Sequence, residues 1–158
     1  MTEYDPKRDL ELIRSIAASP MAVWRCWTEP DLIKQWFCPA PYRVTHAEVD
    51  PTPGGIFLTV MQDPEGTDFD AEPGCVLAAD PGKLFSFTDA LGPGYRPRGS
   101  GFMTAIVSLE AIDTGTRYTA RVLHASPEDR QKHIDMGFHE GWGIAADQLA
   151  AVAAGLKD

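Results

Sequence analysis

The chain has no apolar run near the roughly 18–20 residues that a membrane span requires, which excludes a spanning helix. Positive charge is scarce. Among 158 residues, 14 lysines and arginines stand against 23 aspartates and glutamates, for a formal net charge of −9. So acidic a balance repels phosphates and argues against DNA or RNA as a partner. Cysteine is rare too. Cys26, Cys38 and Cys75 are odd in number and lack a metal-ligand spacing. They read as reduced thiols, small core residues of a cytoplasmic protein. The amino-terminal Met-Thr-Glu-Tyr-Asp is acidic and polar, unlike a secretory signal.

Catalytic signatures are equally sparse. No Gly-x-Ser-x-Gly is present, and Gly99-Ser100-Gly101 does not supply one. His139-Glu140 lacks the second histidine of a zinc-protease helix. His133 and His139 stand six apart, on roughly opposite helical faces, and make a poor metal pair. Gly54-Gly55 follows Pro53 and precedes a strand, which is a turn or bulge and not a phosphate cradle. Asp68, Asp70 and Glu72 lie at i, i+2 and i+4, with Asp63 and Glu65 nearby. They read as the solvated side of an edge strand closed by Pro73, with Phe69 and Ala71 turned to the core. The expectation is no catalytic residue, no metal and no cofactor.

What the chain does have is a dense aromatic corner at residues 19–39. Ser19 is a good N-cap and Pro20 suits the first helical position. Val23, Trp24 and Trp27 share one helical face. Glu29-Pro30 ends that helix and starts another, since a residue before proline avoids the α region. Leu32, Ile33 and Trp36 make the second apolar face, ended by Pro39 and Pro41. A first strand precedes this pair at residues 9–17. Strand-length runs follow at 43–50, 56–62, 68–78, 83–89, 102–112 and 116–125, separated by turn signals. Short connections imply antiparallel neighbours. In the last run Arg117, Thr119 and Arg121 alternate with Tyr118, Ala120, Val122 and His124, and the second set faces inward.

Residues 127–156 read as the one long helix. Ser126 caps it, Pro127 opens it, and Glu128 and Asp129 complement its positive end. Ile134, Phe138, Trp142, Ala145, Leu149, Val152 and Leu156 form a continuous apolar stripe. On that reading Trp142 is a core residue whose truncation costs about 3–5 kcal/mol. Gly137, Gly141 and Gly143 each cost roughly 1 kcal/mol in a helix, so another element or a ligand approaches closely there. The layout is α+β, a single domain over 1–158, with a strongly curved antiparallel sheet around the long helix and room for a cavity between them.

Pro20-x-x-Val-Trp-x-x-Trp-Thr-x-Pro30, Gln35-Trp36-Phe37, Pro53-Gly54-Gly55, Asp80-Pro81-x-x-Leu84, Gly115-Thr116-Arg117 and His139-x-Gly141-Trp142 occur in order. Over roughly residues 8–155 this set resembles the activator of Hsp90 ATPase homologue-like branch of the START-like (SRPBCC) superfamily. The resemblance implies a helix-grip fold: a curved seven-stranded sheet gripping the carboxy-terminal helix over an apolar cavity. The co-chaperone activity behind the name belongs to proteins with an additional amino-terminal domain, for which this chain has no room.

The candidate site therefore rests on aromatics. Trp36, Phe57, Phe87, Phe102, Phe138 and Trp142 are expected as cavity walls, with His124 and Tyr118 as polar contacts. Tyr42, Phe85, Met61, Met103 and Met136 are further lining candidates. Residues 92–101, rich in glycine and proline, carry Tyr95, Arg96 and Arg98, a basic island on an acidic chain. They read either as a mobile flap at the cavity mouth that attracts an anionic head group or as a long hairpin loop. The expected function is non-catalytic binding of a small apolar or amphipathic molecule. The alternatives are a protein-interaction module related to chaperone ATPase activators and, on fold analogy alone, a cyclase- or hydrolase-type enzyme.

Overall fold

The computed structural model describes residues 3–156. Strand β1 (Asp9–Ile16) leads into helices α1 (Pro20–Thr28) and α2 (Pro30–Trp36). Strands β2 (Arg43–Val49), β3 (Ile56–Gln62), β4 (Gly74–Asp80) and β5 (Leu84–Thr88) follow. A small ribbon, β6 (Leu91–Gly92) and β7 (Arg96–Pro97), encloses a 3-10 turn at Pro93–Tyr95. The chain then makes β8 (Thr104–Ile112), β9 (Gly115–Leu123), α3 (Pro127–Asp135) and α4 (Phe138–Ala154). The main sheet runs β1-β9-β8-β5-β4-β3-β2, antiparallel throughout, so the first strand closes against the last. This is the α+β helix-grip layout, a curled sheet holding the carboxy-terminal helix.

Local chemistry explains the helical corner. Ser19 Oγ accepts the Ala22 N–H at 3.1 Å, which satisfies one of the free donors of the first turn. Glu29 is extended (φ −98°, ψ 117°) and both ends α1 and begins α2, as the following proline demands. Trp36 Nε1–H donates to the Cys26 carbonyl at 2.8 Å and ties the two helices together. In β9 the inward set is as its parity requires: Tyr118, Ala120 and Val122 are buried. On the outward set, Arg121 meets Glu11 of β1 at 2.8 Å. Gly115 opens β9 at φ 139°, where a Cβ would collide with the Ile16 carbonyl, so only glycine serves.

Two expectations are corrected. The fourth strand is Gly74–Asp80 and not 68–78. The segment before it touches the sheet through a single bridge, Gln62 to Asp68. Phe69 therefore does not reach the core; it is 44% exposed and stacks on Tyr42 with ring centroids 6.1 Å apart. Ala71 is exposed as well. Sheet pairing begins only at Gly74, where a Cβ would press on the Thr88 carbonyl.

The long helix is also broken. α3 stops at Asp135, and Gly137 takes a left-handed conformation (φ 92°, ψ 37°) before α4 begins. Glycine adopts that geometry without a Cβ penalty. The apolar stripe is thus split, with Ile134 on α3 and the rest on or after α4. The other two glycines stay helical. Arg14 Nη2 lies 3.1 Å from where a Gly143 Cβ would sit, so a guanidinium packs on the helix backbone there. Gly141 faces Pro39 with ordinary contact.

Candidate functional site

A cleft of about 620 Å³ lies between the sheet and α4. Its floor includes Trp27 and Tyr118, its walls include Trp36, Phe102, Phe138 and Trp142, and Met61, Met103 and Met136 fill the margins. The α2–β2 connection forms one side through Phe37, Cys38 and Pro39. Gln148 of α4 holds that connection in place. Its Nε2 donates to the Trp36 and Cys38 carbonyls at 2.9 Å each, and its Oε1 accepts the Ala40 N–H at 3.1 Å. Nothing in the sequence around Gln148 signals this role, because its partners lie more than a hundred positions away.

The predicted residues divide. Trp36, Phe102, Tyr118, Phe138 and Trp142 line the cleft. Phe57 and Phe87 do not; their rings stack at 4.0 Å inside the sealed core. His124 stands one layer behind the wall. Its Nδ1 pairs with the Arg8 carbonyl at 2.8 Å and its Nε2 with His133 Nδ1 at 2.9 Å. Tyr95, Arg96 and Arg98 lie elsewhere. Arg98 pairs with Glu72 and donates to the Asp89 carbonyl at 3.0 Å. The Gly94 N–H bonds the Gly54 carbonyl at 2.7 Å, and the Tyr95 ring covers Gly54. These contacts dock the ribbon on the β2–β3 turn, away from the cleft lining.

Tyr118 and His133 border the cleft as buried polar groups, and the exposed Tyr42 lines it as well. The Tyr118 hydroxyl accepts Trp27 Nε1–H at 3.2 Å, and its own proton meets no acceptor among the described residues. Complete burial pushes its pKa far up, so it is a neutral phenol. His133, only 7% exposed, is enclosed by the rings of Phe102 at 4.8 Å and Phe138 at 5.0 Å. Burial, then the neighbouring His124, lowers its pKa to about 4, so the imidazole is neutral at physiological pH. Sequence reading weighed His133 only as a metal partner of His139, because residues 128–132 before it are polar and the apolar stripe begins at Ile134. Burial also raises the thiol pKa of Cys38, which keeps it protonated and inert. No group of three or more His, Cys, Asp or Glu among the described residues converges as a metal site would.

Trp142 is half-buried, with one side on Phe138 at 5.4 Å and the other on the cleft. Trp142→Ala is therefore expected to cost about 1–2 kcal/mol in a denaturant melt, below the range for sealed aromatics. A loss of about 4 kcal/mol would place the indole in the closed core.

A seven-stranded antiparallel sheet curled around a carboxy-terminal helix, with an apolar cleft between them, defines a START-like helix-grip protein. The chain belongs to the activator of Hsp90 ATPase homolog 1-like protein family, whose family model matches residues 17–154. Among solved structures, a protein from Nitrosomonas europaea is 45% identical with a TM-score of 0.90, covering 94% of this chain and 96% of that one. A protein from Mycobacterium smegmatis is 26% identical with a TM-score of 0.77, covering 96% and 94%. A protein from Aeromonas hydrophila, described as like the same family, shares the fold at 22% identity and a TM-score of 0.70, covering 94% and 95%. No curated protein matches the chain.

Proposed function

We propose that this protein is a non-catalytic, cytoplasmic binder of a small apolar or amphipathic molecule, held between the sheet and α4. The observation that carries the reading is the cleft itself: about 620 Å³, walled by aromatics and methionines, with Tyr118 and His133 as isolated polar groups. Small-molecule sites have this composition, apolar walls with a few fixed polar atoms. A catalytic reading has less support, because the thiol near Tyr118, Cys26, is buried with its pKa raised to about 11, and neither polar group hydrogen-bonds a carboxylate.

A second reading, a protein-interaction module, draws on the rim. Met136 is 70% exposed, and the stacked Tyr42 and Phe69 also face solvent. Exposed apolar groups at one edge suit a protein partner. Native mass spectrometry of the purified protein separates the two: a co-purifying small molecule favours the binder, a co-purifying protein the module.

Ligand addition is the direct test. A compound that binds only the folded state at a hundred times its Kd adds about 2.7 kcal/mol of stability. A thermal-shift screen of fatty acids, aromatics, isoprenoids and flavonoids is expected to raise Tm for at least one class, and Trp142→Ala to weaken that rise. No shift with any class, in a protein whose cleft also excludes xenon, would sink the reading.

A further inference from the structure

The His124–His133 pair has a direction. The Arg8 carbonyl can only accept, so the His124 nitrogen 2.8 Å from it, Nδ1, carries a proton. In a neutral imidazole the other nitrogen, Nε2, is then a lone-pair acceptor. His133 Nδ1 faces that lone pair at 2.9 Å and so must be the donor. The proton of neutral His133 is thereby spent on His124, and His133 Nε2 is left as an acceptor. This nitrogen has no protein partner among the described residues, yet it is not among the sealed, unsatisfied atoms. His133 is a wall of the cleft, and Nε2 is the ring nitrogen that the His124 contact leaves open. The rings of Phe102, Phe138 and, at 6.4 Å, Trp142 surround the imidazole.

We propose that His133 Nε2 is the cleft's fixed hydrogen-bond acceptor, and that the ligand is a compact apolar molecule presenting a hydroxyl donor to it, as a phenol or a cyclic alcohol does. The inference rests on the ligand-binding reading above and sharpens it to a chemical class. The backbone carbonyl of Arg8 sets the polarity of the whole relay, so the acceptor does not depend on the ligand. An acceptor in an apolar recess rewards a matching donor and penalises an ether or hydrocarbon of the same shape, which leaves the nitrogen dry and unpaired. Tyr118, whose proton is unspent, offers the opposite polarity on the floor and suits a second oxygen on the same molecule.

The probes are 2-naphthol, 2-methoxynaphthalene and naphthalene, titrated into the full chain at neutral pH by calorimetry. 2-Naphthol is expected to bind about tenfold more tightly than the other two, as one net hydrogen bond provides. His133→Phe keeps a ring in the cleft wall and has no hydrogen-bond acceptor, and it is expected to bring the three affinities within about twofold of one another. Imidazole nitrogen shifts in the ¹⁵N-labelled wild type need no variant. They are expected to show His133 protonated at Nδ1 in the free protein, with Nε2 responding to 2-naphthol and not to the ether. Equal affinities for all three in the wild type, or a free His133 protonated at Nε2, overturn the proposal while leaving the cleft a binding site. A naphthol preference that survives His133→Phe overturns it as well. Failure of all three probes to bind removes the ligand-binding reading and this inference with it.

Discussion

Trp27→Ala is expected to lower folding stability by about 3–5 kcal/mol, the range for truncating a large aromatic in a sealed core. Trp27 is 1% exposed and sits where the aromatic corner meets the sheet. Its ring packs on Trp36 at 4.8 Å, Phe87 at 5.6 Å, Phe37 at 5.9 Å and Phe85 at 6.0 Å. Removing it deletes dispersion contacts on every side but that of the cleft, and the surrounding rings cannot all collapse into one space. It also strips Tyr118 of its only hydrogen-bond partner among the described residues, leaving a buried hydroxyl to be resolvated. Trp27→Phe separates the two contributions, because it keeps most of the packing and loses only the indole N–H. Its expected cost is about 1–2 kcal/mol. Urea melts with unchanged m-values give both numbers. A Trp27→Ala loss below about 2 kcal/mol would mean that the core under α1 rearranges freely.

Stability is expected to fall as the solution is acidified from pH 7 to pH 5, by about 2 kcal/mol, through His133. The imidazole of the folded protein has its pKa lowered to about 4, chiefly by burial and then by His124, against 6.5 for the unreacted group. Between those values the unfolded chain takes up a proton that the folded chain refuses. The contribution is complete above about pH 6.5 and is lost as pH falls toward 4, where the loss reaches the order of 3 kcal/mol. Most carboxylates remain ionised above pH 5, so the upper part of this window isolates histidine. Denaturant melts at pH 7 and pH 5 on the wild type and on His133→Asn check it. The wild-type difference is expected to shrink by more than half in the variant. A flat profile across this window would show that the ring is solvated in the folded state.

His133 also marks the limit of sequence reading. Before His133 the long helix read over 127–156 shows only polar residues at 128–132, and its apolar stripe begins at Ile134. The burial of His133 follows from the break at Gly137, which lets α3 lie across the end of the sheet so that Phe102 and Phe138 close on the ring. Glycine tolerates a helix interior and a left-handed break alike, so periodicity carried the apolar stripe straight through a bend. Phe57 and Phe87 show a related blindness. Strand parity turns both inward, but inward from a curled sheet includes a closed core and an open cleft, and only curvature separates them.

The sequence by itself determined most of the elements and their order. Ser19-Pro20, Glu29-Pro30 and Ser126-Pro127 set helix starts through nearest-neighbour sterics and capping, and the alternation of residues 117–124 set the inward face of β9 through the two-residue period of a strand. These are local effects, written within a few residues. The tertiary structure decided which aromatics border the cleft, that Gln148 braces residues 36–40 from α4, and that residues 68–73 leave the sheet. It also decided that two histidines nine positions apart join in a hydrogen-bonded chain ending at the Arg8 carbonyl. Each of those depends on groups brought together by sheet curl and by one left-handed glycine, and pair energies of that kind have no signature until the distance is closed.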